Sequence, residues 1–231
     1  MTIVMPELHL YGVFLILSIF VGMGFVYVSL KDEIKKDKMI LLFYLLYMVC
    51  ALIFGKLYTA YAYPGISVLK AGLSAYGGLI GVVVAALIFE KIIPLNGKLI
   101  DASVISLPLV YGLSKIACFV GGCCGGIEYD GFMSIRYPHV MDIPQFPVQL
   151  LEVVSGLIVF VMCFSLRGKK WVSYFTLIMV AVIKFLLDFF RYDHMEQTIT
   201  SNQIFSIVLI LIVIATYIIS IYKKKRQIKT N

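Results

Sequence analysis

The run 111-YGLSKIACFVGGCCGG-126 decides how this chain is read. It starts as the end of an apolar run, carries Lys115 inside that run, and finishes in four glycines around Cys123 and Cys124. A lysine within a bilayer span costs roughly 2.5–3.5 kcal/mol on insertion scales, so Lys115 needs a compensating reason. The glycines let the backbone leave the helix and turn its N–H groups toward a ligand. A buried cation beside an open glycine loop points to a site for something anionic at the membrane surface. The same residues also fit a glycine-rich helix end packed on a neighbour, with Lys115 snorkelling to the headgroups.

Composition sets the frame for that choice. Of 231 residues, 61% are hydrophobic and 14% charged, whereas soluble domains run near 45–50% apolar and about 25% charged. The chain therefore reads as an all-α polytopic integral membrane protein, one membrane domain over 1–231. Its net charge of +7 marks cytoplasmic loops, not a nucleic-acid partner. Cys50, Cys118, Cys123, Cys124 and Cys163 have neither zinc-finger spacing nor a secreted disulfide pattern, and no metal site is expected. The opening MTIVMPELHLYG has no basic region and no small-residue cleavage site, so its first apolar run reads as a retained span.

Working outward, seven windows are long and apolar enough to cross a bilayer: about 9–30, 39–62, 67–90, 101–121, 147–166, 171–191 and 203–222. Pro108 falls inside the fourth and is expected to kink it. Between the windows, 31–38 holds four basic residues, 91–98 two, 167–170 three and the tail 223–231 five, fourteen of the twenty. That side is cytoplasmic, with the N-terminus outside and the C-terminus inside. The other six, Lys56, Lys70, Lys115, Arg136, Lys184 and Arg191, all fall toward the outer side. Positive charge there runs against the orientation rule, and an outer-leaflet phosphate is the simplest common partner.

Several smaller constellations surround these cations. Lys184, Asp188 and Arg191 follow steps of four and three, so they share one helical face. Asp188 there either neutralises Lys184 in an intrahelical pair or holds a cation beneath a lipid headgroup. Tyr76 stands before Gly77 and Gly78, a pattern of close helix packing as well as of a site. Tyr11 is placed as an interface anchor. Gln149 and Glu152 enter the fifth span three residues apart, and Glu152 wants a basic partner, Lys115 or Lys184. His139 sits in the long outer segment as a solvated residue or a base. Cys123 and Cys124 fit a vicinal disulfide or a thiol pair.

Together these segments resemble the prolipoprotein diacylglyceryl transferase family across nearly the whole chain. HLYGVFLILSIFVG (9–22) resembles its first span, with Tyr11 on the functional tyrosine, and IFGKLYTAY (53–61) its second, with Lys56 in place of arginine. AGLSAYGGLIGV (71–82) resembles a segment ending His-Gly-Gly-Leu-Ile-Gly, with Tyr76 where the catalytic histidine belongs. SKIACFVGGCCGG (114–126) aligns without a gap on the family signature. There Lys115 takes the essential arginine, Cys118 the asparagine, Cys123 the glutamate and Gly126 the last glycine. FPVQLLE (146–152) keeps the proline, Gln149 and Glu152. KFLLDFFRYD (184–193) places Lys184 on the second essential arginine, Asp188 on a glutamate and Arg191 on a retained arginine. The chain is similar to divergent relatives that carry a Gly-Cys-Cys-x-Gly signature.

The resemblance implies an enzyme of the bacterial cytoplasmic membrane. It would move a diacylglyceryl group from phosphatidylglycerol in the outer leaflet to the lipobox cysteine of preprolipoprotein signal peptides. No metal or dissociable cofactor is implied. Lys115, Lys184, Tyr76, Asp188 and Glu152 are then the catalytic candidates. Arg191, Lys56, Tyr11, Gly77, Gly78, Gln149 and Gly126 are the lipid-phosphate candidates, and Cys118, Cys123 and Cys124 a candidate thiol site. Three other readings stand beside it: a related transferase with another acceptor, a non-catalytic lipid-binding membrane protein, and thiol redox chemistry at Cys123 and Cys124. Replacing Lys115 or Lys184 by methionine is expected to weaken lipid binding and leave the fold intact.

Overall fold

Each apolar window folds as a helix in the computed structural model, which describes residues 2–6, 9–34, 37–63 and 65–230. Lys35 and Lys36 of the first basic loop, Pro64 of the expected Tyr63-Pro64-Gly65 turn and Asn231 lie outside the described residues. The helices are α1 (Tyr11–Leu30), α2 (Asp37–Ala62), α3 (Ala75–Ile92), α4 (Lys98–Gly121), α5 (Val148–Ser165) and α6 (Val172–Asp188). The short α7 (Asp193–Glu196) and the long α8 (Ser201–Thr230) complete them. Among the described residues, six helices are long and apolar enough to cross a membrane: α1 to α5 and α8. α6, at 17 residues, is the shortest of the long helices. The protein is a polytopic helical membrane protein.

The expectation of an all-helical chain needs one correction. β1 (Ile3–Val4), β2 (Ile135–Tyr137) and β3 (Met141–Gln145) form a small sheet in that order. β1 runs parallel to β2, and β2 antiparallel to β3. The segment after α4 has polar backbone and no helical pattern, so its N–H and C=O groups are satisfied by strand pairing instead.

Two helix starts also differ from the apolar windows. α3 begins at Ala75, not near 67, because Ser74 caps it by accepting the Tyr76 N–H at 3.2 Å. The preceding residues are tied down by Lys56, whose Nζ donates to the carbonyls of Leu69 at 2.8 Å and Ala71 at 3.1 Å. α8 begins before 203, with Thr200 and Gln203 forming a reciprocal capping box. The Gln203 N–H donates to Thr200 Oγ1 at 3.2 Å, and the Thr200 N–H to Gln203 Oε1 at 3.1 Å.

α4 is the hub, packing on α1, α3, α5 and α6. Small residues permit this closeness. A Cβ on Gly156 of α5 would lie 2.8 Å from both the Gly112 Cα and the Pro108 carbonyl oxygen of α4. On α3, a Cβ on Gly77 or Gly81 would overlap the carbonyl oxygens of Phe54 and Cys50 of α2, at 2.1 and 2.4 Å. α8 is the least buried of the six span-length helices. It exposes Ile207, Leu211, Ile214 and Ile218 in a helical stripe, the outward apolar face of a helix solvated by lipid.

Candidate functional site

A cavity of about 340 Å³ opens among α1 to α4, α6 and the start of α8, at the end of the bundle that carries the sheet. Its walls include apolar residues such as Leu15, Ile19, Leu79 and Val110, and three basic residues, Lys115, Lys184 and Arg191. Lys115 comes from the last turns of α4, Lys184 from the C-terminal half of α6, and Arg191 from the turn just beyond it. They are 4%, 7% and 8% exposed, so their charge is settled by what surrounds them, not by water.

The three cations are held differently. Lys115 Nζ lies 3.0 Å from Glu152 Oε2 in a fully buried ion pair. Tyr111, one turn before Lys115, donates its hydroxyl to Glu152 Oε1 at 2.6 Å. Lys184 has no carboxylate within ion-pair distance among the described residues. Its ammonium instead sits over the Tyr76 ring, 4.5 Å from the centroid, and over the Tyr111 ring at 4.8 Å. Cation–π contact of this kind stabilises a desolvated ammonium and leaves its N–H donors free to point elsewhere. Arg191 pairs its backbone with Gly126 in an antiparallel bridge. Among the described residues, its buried Nε has no hydrogen-bond partner.

The intrahelical pair between Lys184 and Asp188 does not form. Asp188 turns to the N-terminus of α8, where Thr200 donates its hydroxyl to Oδ2 and Asn202 Nδ2 donates to Oδ1 at 3.3 Å. The unpaired N–H groups and positive dipole end of that helix suit a carboxylate better than a lysine one turn back.

Other expected site residues divide between the cavity wall and its support. Tyr11, Gly78, Cys118 and Cys124 line the cavity. Tyr76 does not; it is 1% exposed, with its hydroxyl against the Ser206 hydroxyl and its ring 4.5 Å from Phe205, so it backs Lys184 from behind. Gly77 faces the α2 backbone, as its overlap with Phe54 requires, and takes no part in the wall. Gln149 is buried and donates Nε2 to the Cys123 carbonyl at 3.0 Å. Gly126 packs so closely on the Phe146 carbonyl that a Cβ would lie 2.2 Å from its oxygen. Lys56 is engaged with the 66–74 segment and lies off the wall. Of the other two basic residues, Arg136 pairs with Asp142 at 2.6 Å and Lys70 is exposed.

The cysteines come together more tightly than their spacing suggests. The sulfurs of Cys118, Cys123 and Cys124 all lie within 4.8 Å of one another, and all three thiols are free. Hydrogen bonds from Cys118 and Cys123 hold the Cys124 thiol well below its ordinary pKa; Arg191 and Lys115 add to this against the cost of burial.

Sequence reasoning did not assign Tyr111, Ser206, Thr200 or Asn202. Tyr111 had a signal, standing four residues before Lys115 and so on the same helical face. Thr200 had another in the T-x-x-Q pattern of 200–203. Ser206 had none.

An apolar cavity ending in buried cations has the character of a site for an anionic headgroup with acyl chains. A family model described as prolipoprotein diacylglyceryl transferase matches residues 1–219. The chain is similar to the phosphatidylglycerol–prolipoprotein diacylglyceryl transferase of Mannheimia succiniciproducens, 28% identical over 172 residues, 69% of this chain and 64% of that protein. For the protein of the same name from Chlorobaculum tepidum, identity is 28% over 137 residues, covering 56% of this chain and 46% of the relative. The Francisella tularensis subsp. mediasiatica protein, also of that name, is 30% identical over 173 residues, 68% of this chain and 63% of its own length. The matched stretches span from under half to just under two thirds of these relatives.

Proposed function

Because the chain belongs to the prolipoprotein diacylglyceryl transferase family, we propose that it transfers a diacylglyceryl group from phosphatidylglycerol to a lipobox cysteine thiol. One observation carries the reading. Among the described residues Lys184 has no carboxylate partner and the buried Arg191 Nε no acceptor, yet both residues line one apolar cavity. Buried donors of this kind are costly unless a ligand completes them, and a lipid phosphate supplies both charge and acceptors.

In the reaction, the acceptor sulfur attacks the glycerol carbon that bears the phosphate oxygen. A C–S bond forms, the C–O bond breaks, and glycerol phosphate leaves with the proton given up by the thiol. Lys184 and Arg191 stabilise the charge that grows on the departing phosphate. Lys115 adds to the same field, held in place by Glu152 and Tyr111. Tyr76 and Asp188 are positioning residues: the first carries Lys184 on its ring, and the second ties the end of α6 to α8. Gln149 and Gly126 fix the loop beside Arg191.

The test is direct. Purified protein in nanodiscs containing phosphatidylglycerol, given a lipobox peptide, is expected to release glycerol phosphate and yield a thioether-linked lipopeptide. The same lipid with a serine-substituted peptide gives neither. Absence of both products with the cysteine peptide, together with failure to restore lipoprotein lipidation in cells depleted of their own transferase, would overturn the proposal.

The reading carries a topology: seven spans in the bacterial cytoplasmic membrane, N-terminus outside, with the cavity opening toward the outer leaflet. The fourteen basic residues on one side support it. Reporter fusions in the loop between α1 and α2 and at the C-terminus are expected to read cytoplasmic, and one near residue 135 external. A cytoplasmic signal at 135 would refute this orientation.

A further inference from the structure

We propose that Cys118, Cys123 and Cys124 form a three-thiolate site for a thiophilic d10 dication, Zn²⁺ or Cd²⁺, with its fourth position open to the cavity. The backbone builds this cluster. α4 ends at Gly121, and Gly122, at φ 69°, reverses the chain so that the Cys123 N–H donates to the Cys118 carbonyl at 3.1 Å. Cys124 then adopts φ 57°, a left-handed conformation that residues other than glycine, asparagine and aspartate rarely take. The result is three sulfurs within 4.8 Å of one another. Metal–sulfur bonds of about 2.3 Å at tetrahedral angles put sulfurs about 3.8 Å apart, so a small contraction closes the site. A disulfide would use two of these thiols and leave the third; a metal ion uses all three.

The surroundings fit such a centre. Three thiolates around a dication carry a net charge of −1, and Lys115 and Arg191 stand on the same cavity wall as Cys118 and Cys124. Soft thiolate ligands select d10 ions over the hard cations Mg²⁺ and Ca²⁺. The loop is already stitched in place by Gln149 on the Cys123 carbonyl and by the Tyr192 N–H on the Gly125 carbonyl at 3.1 Å. The open fourth position suits an acceptor thiol, which a metal ion deprotonates outright. That last use rests on the function proposed above; the metal site does not.

Cd²⁺ titrated into the reduced full-length protein in detergent is expected to give a thiolate-to-metal charge-transfer band that saturates at one ion per chain. Cys118→Ser, Cys123→Ser and Cys124→Ser should each weaken binding at least tenfold, while Cys163→Ser leaves it unchanged. In the unmodified chain, bound Cd²⁺ should shield these three thiols from N-ethylmaleimide, read by peptide mass spectrometry, which guards against a variant that fails to fold. No band at one equivalent, or no shielding, overturns the site. A lipobox peptide should then shift the band and its serine analogue should not. If neither does, the fourth-position role falls while the metal site stands. Loss of glycerol phosphate release alone would count against the transferase reading and leave the metal site intact.

Discussion

Lys184→Met is expected to lower glycerol phosphate release roughly 10- to 100-fold, the equivalent of one charged hydrogen bond of about 1.5–3 kcal/mol to the phosphate. The protein should stay folded, with a melting temperature in detergent equal to or above that of the parent. The reason is local. Lys184 has aromatic rings beneath it and, among the described residues, no ion partner to strand, so methionine removes a desolvated charge without exposing another. Lys184→Arg should retain or raise activity, because a guanidinium stacks on the same rings and grips phosphate with two parallel donors. Turnover and melting temperature measured on the same preparations decide the matter. Unchanged turnover in Lys184→Met would remove this lysine from the phosphate site.

The second large effect is on stability. Lys115→Met leaves Glu152, 2% exposed, without its ion partner, and breaking a buried pair in this way costs about 3–5 kcal/mol. The expectation that either lysine is replaceable without harm to the fold therefore applies to Lys184 and not to Lys115. Adding Glu152→Met to Lys115→Met should restore most of the lost stability, since an apolar pair of similar volume often equals or exceeds a buried ion pair. A remainder is expected from the Tyr111 hydroxyl, which then loses its acceptor. Unfolding in mixed micelles compares the parent, Lys115→Met and the double variant. A double variant no more stable than Lys115→Met alone would show that the ion pair does not account for the loss.

These two lysines also mark how far the sequence carries. Lys115, Lys184 and Arg191 stand out because charge inside or beside an apolar run has few tolerable explanations, and all three line one cavity. The long apolar helices were legible for the same reason, as twenty or so residues of hydrocarbon leave little choice of structure. The partners of the cations were less so. Spacing of three and four places Asp188 on the face of Lys184, yet it cannot say that the start of α8 offers better donors twelve residues on. Tyr111 shares a helical face with Lys115 in the sequence, but nothing there says that Glu152 is brought to its hydroxyl. Gly77 and Gly78 are identical neighbours in sequence, but successive helical residues point about 100° apart. One meets the α2 backbone and the other the cavity. The cations Lys56 and Arg136 are absorbed by carbonyls and by Asp142, contacts between segments that no periodicity encodes.

The parallel pairing of Ile3 with Ile135 and Val4 with Arg136 bears on the order of assembly. At about 5–20 residues per second, the ribosome needs roughly 7–26 s to make the chain between those two strands. During that interval the segment before α1 has nothing to pair with, although α1 itself can already enter the bilayer. Pairing of β1 into the sheet is thus a late event, gated by synthesis of the segment that follows α4. A nascent chain arrested before residue 135 would hold its first helices in the membrane with the sheet still unformed.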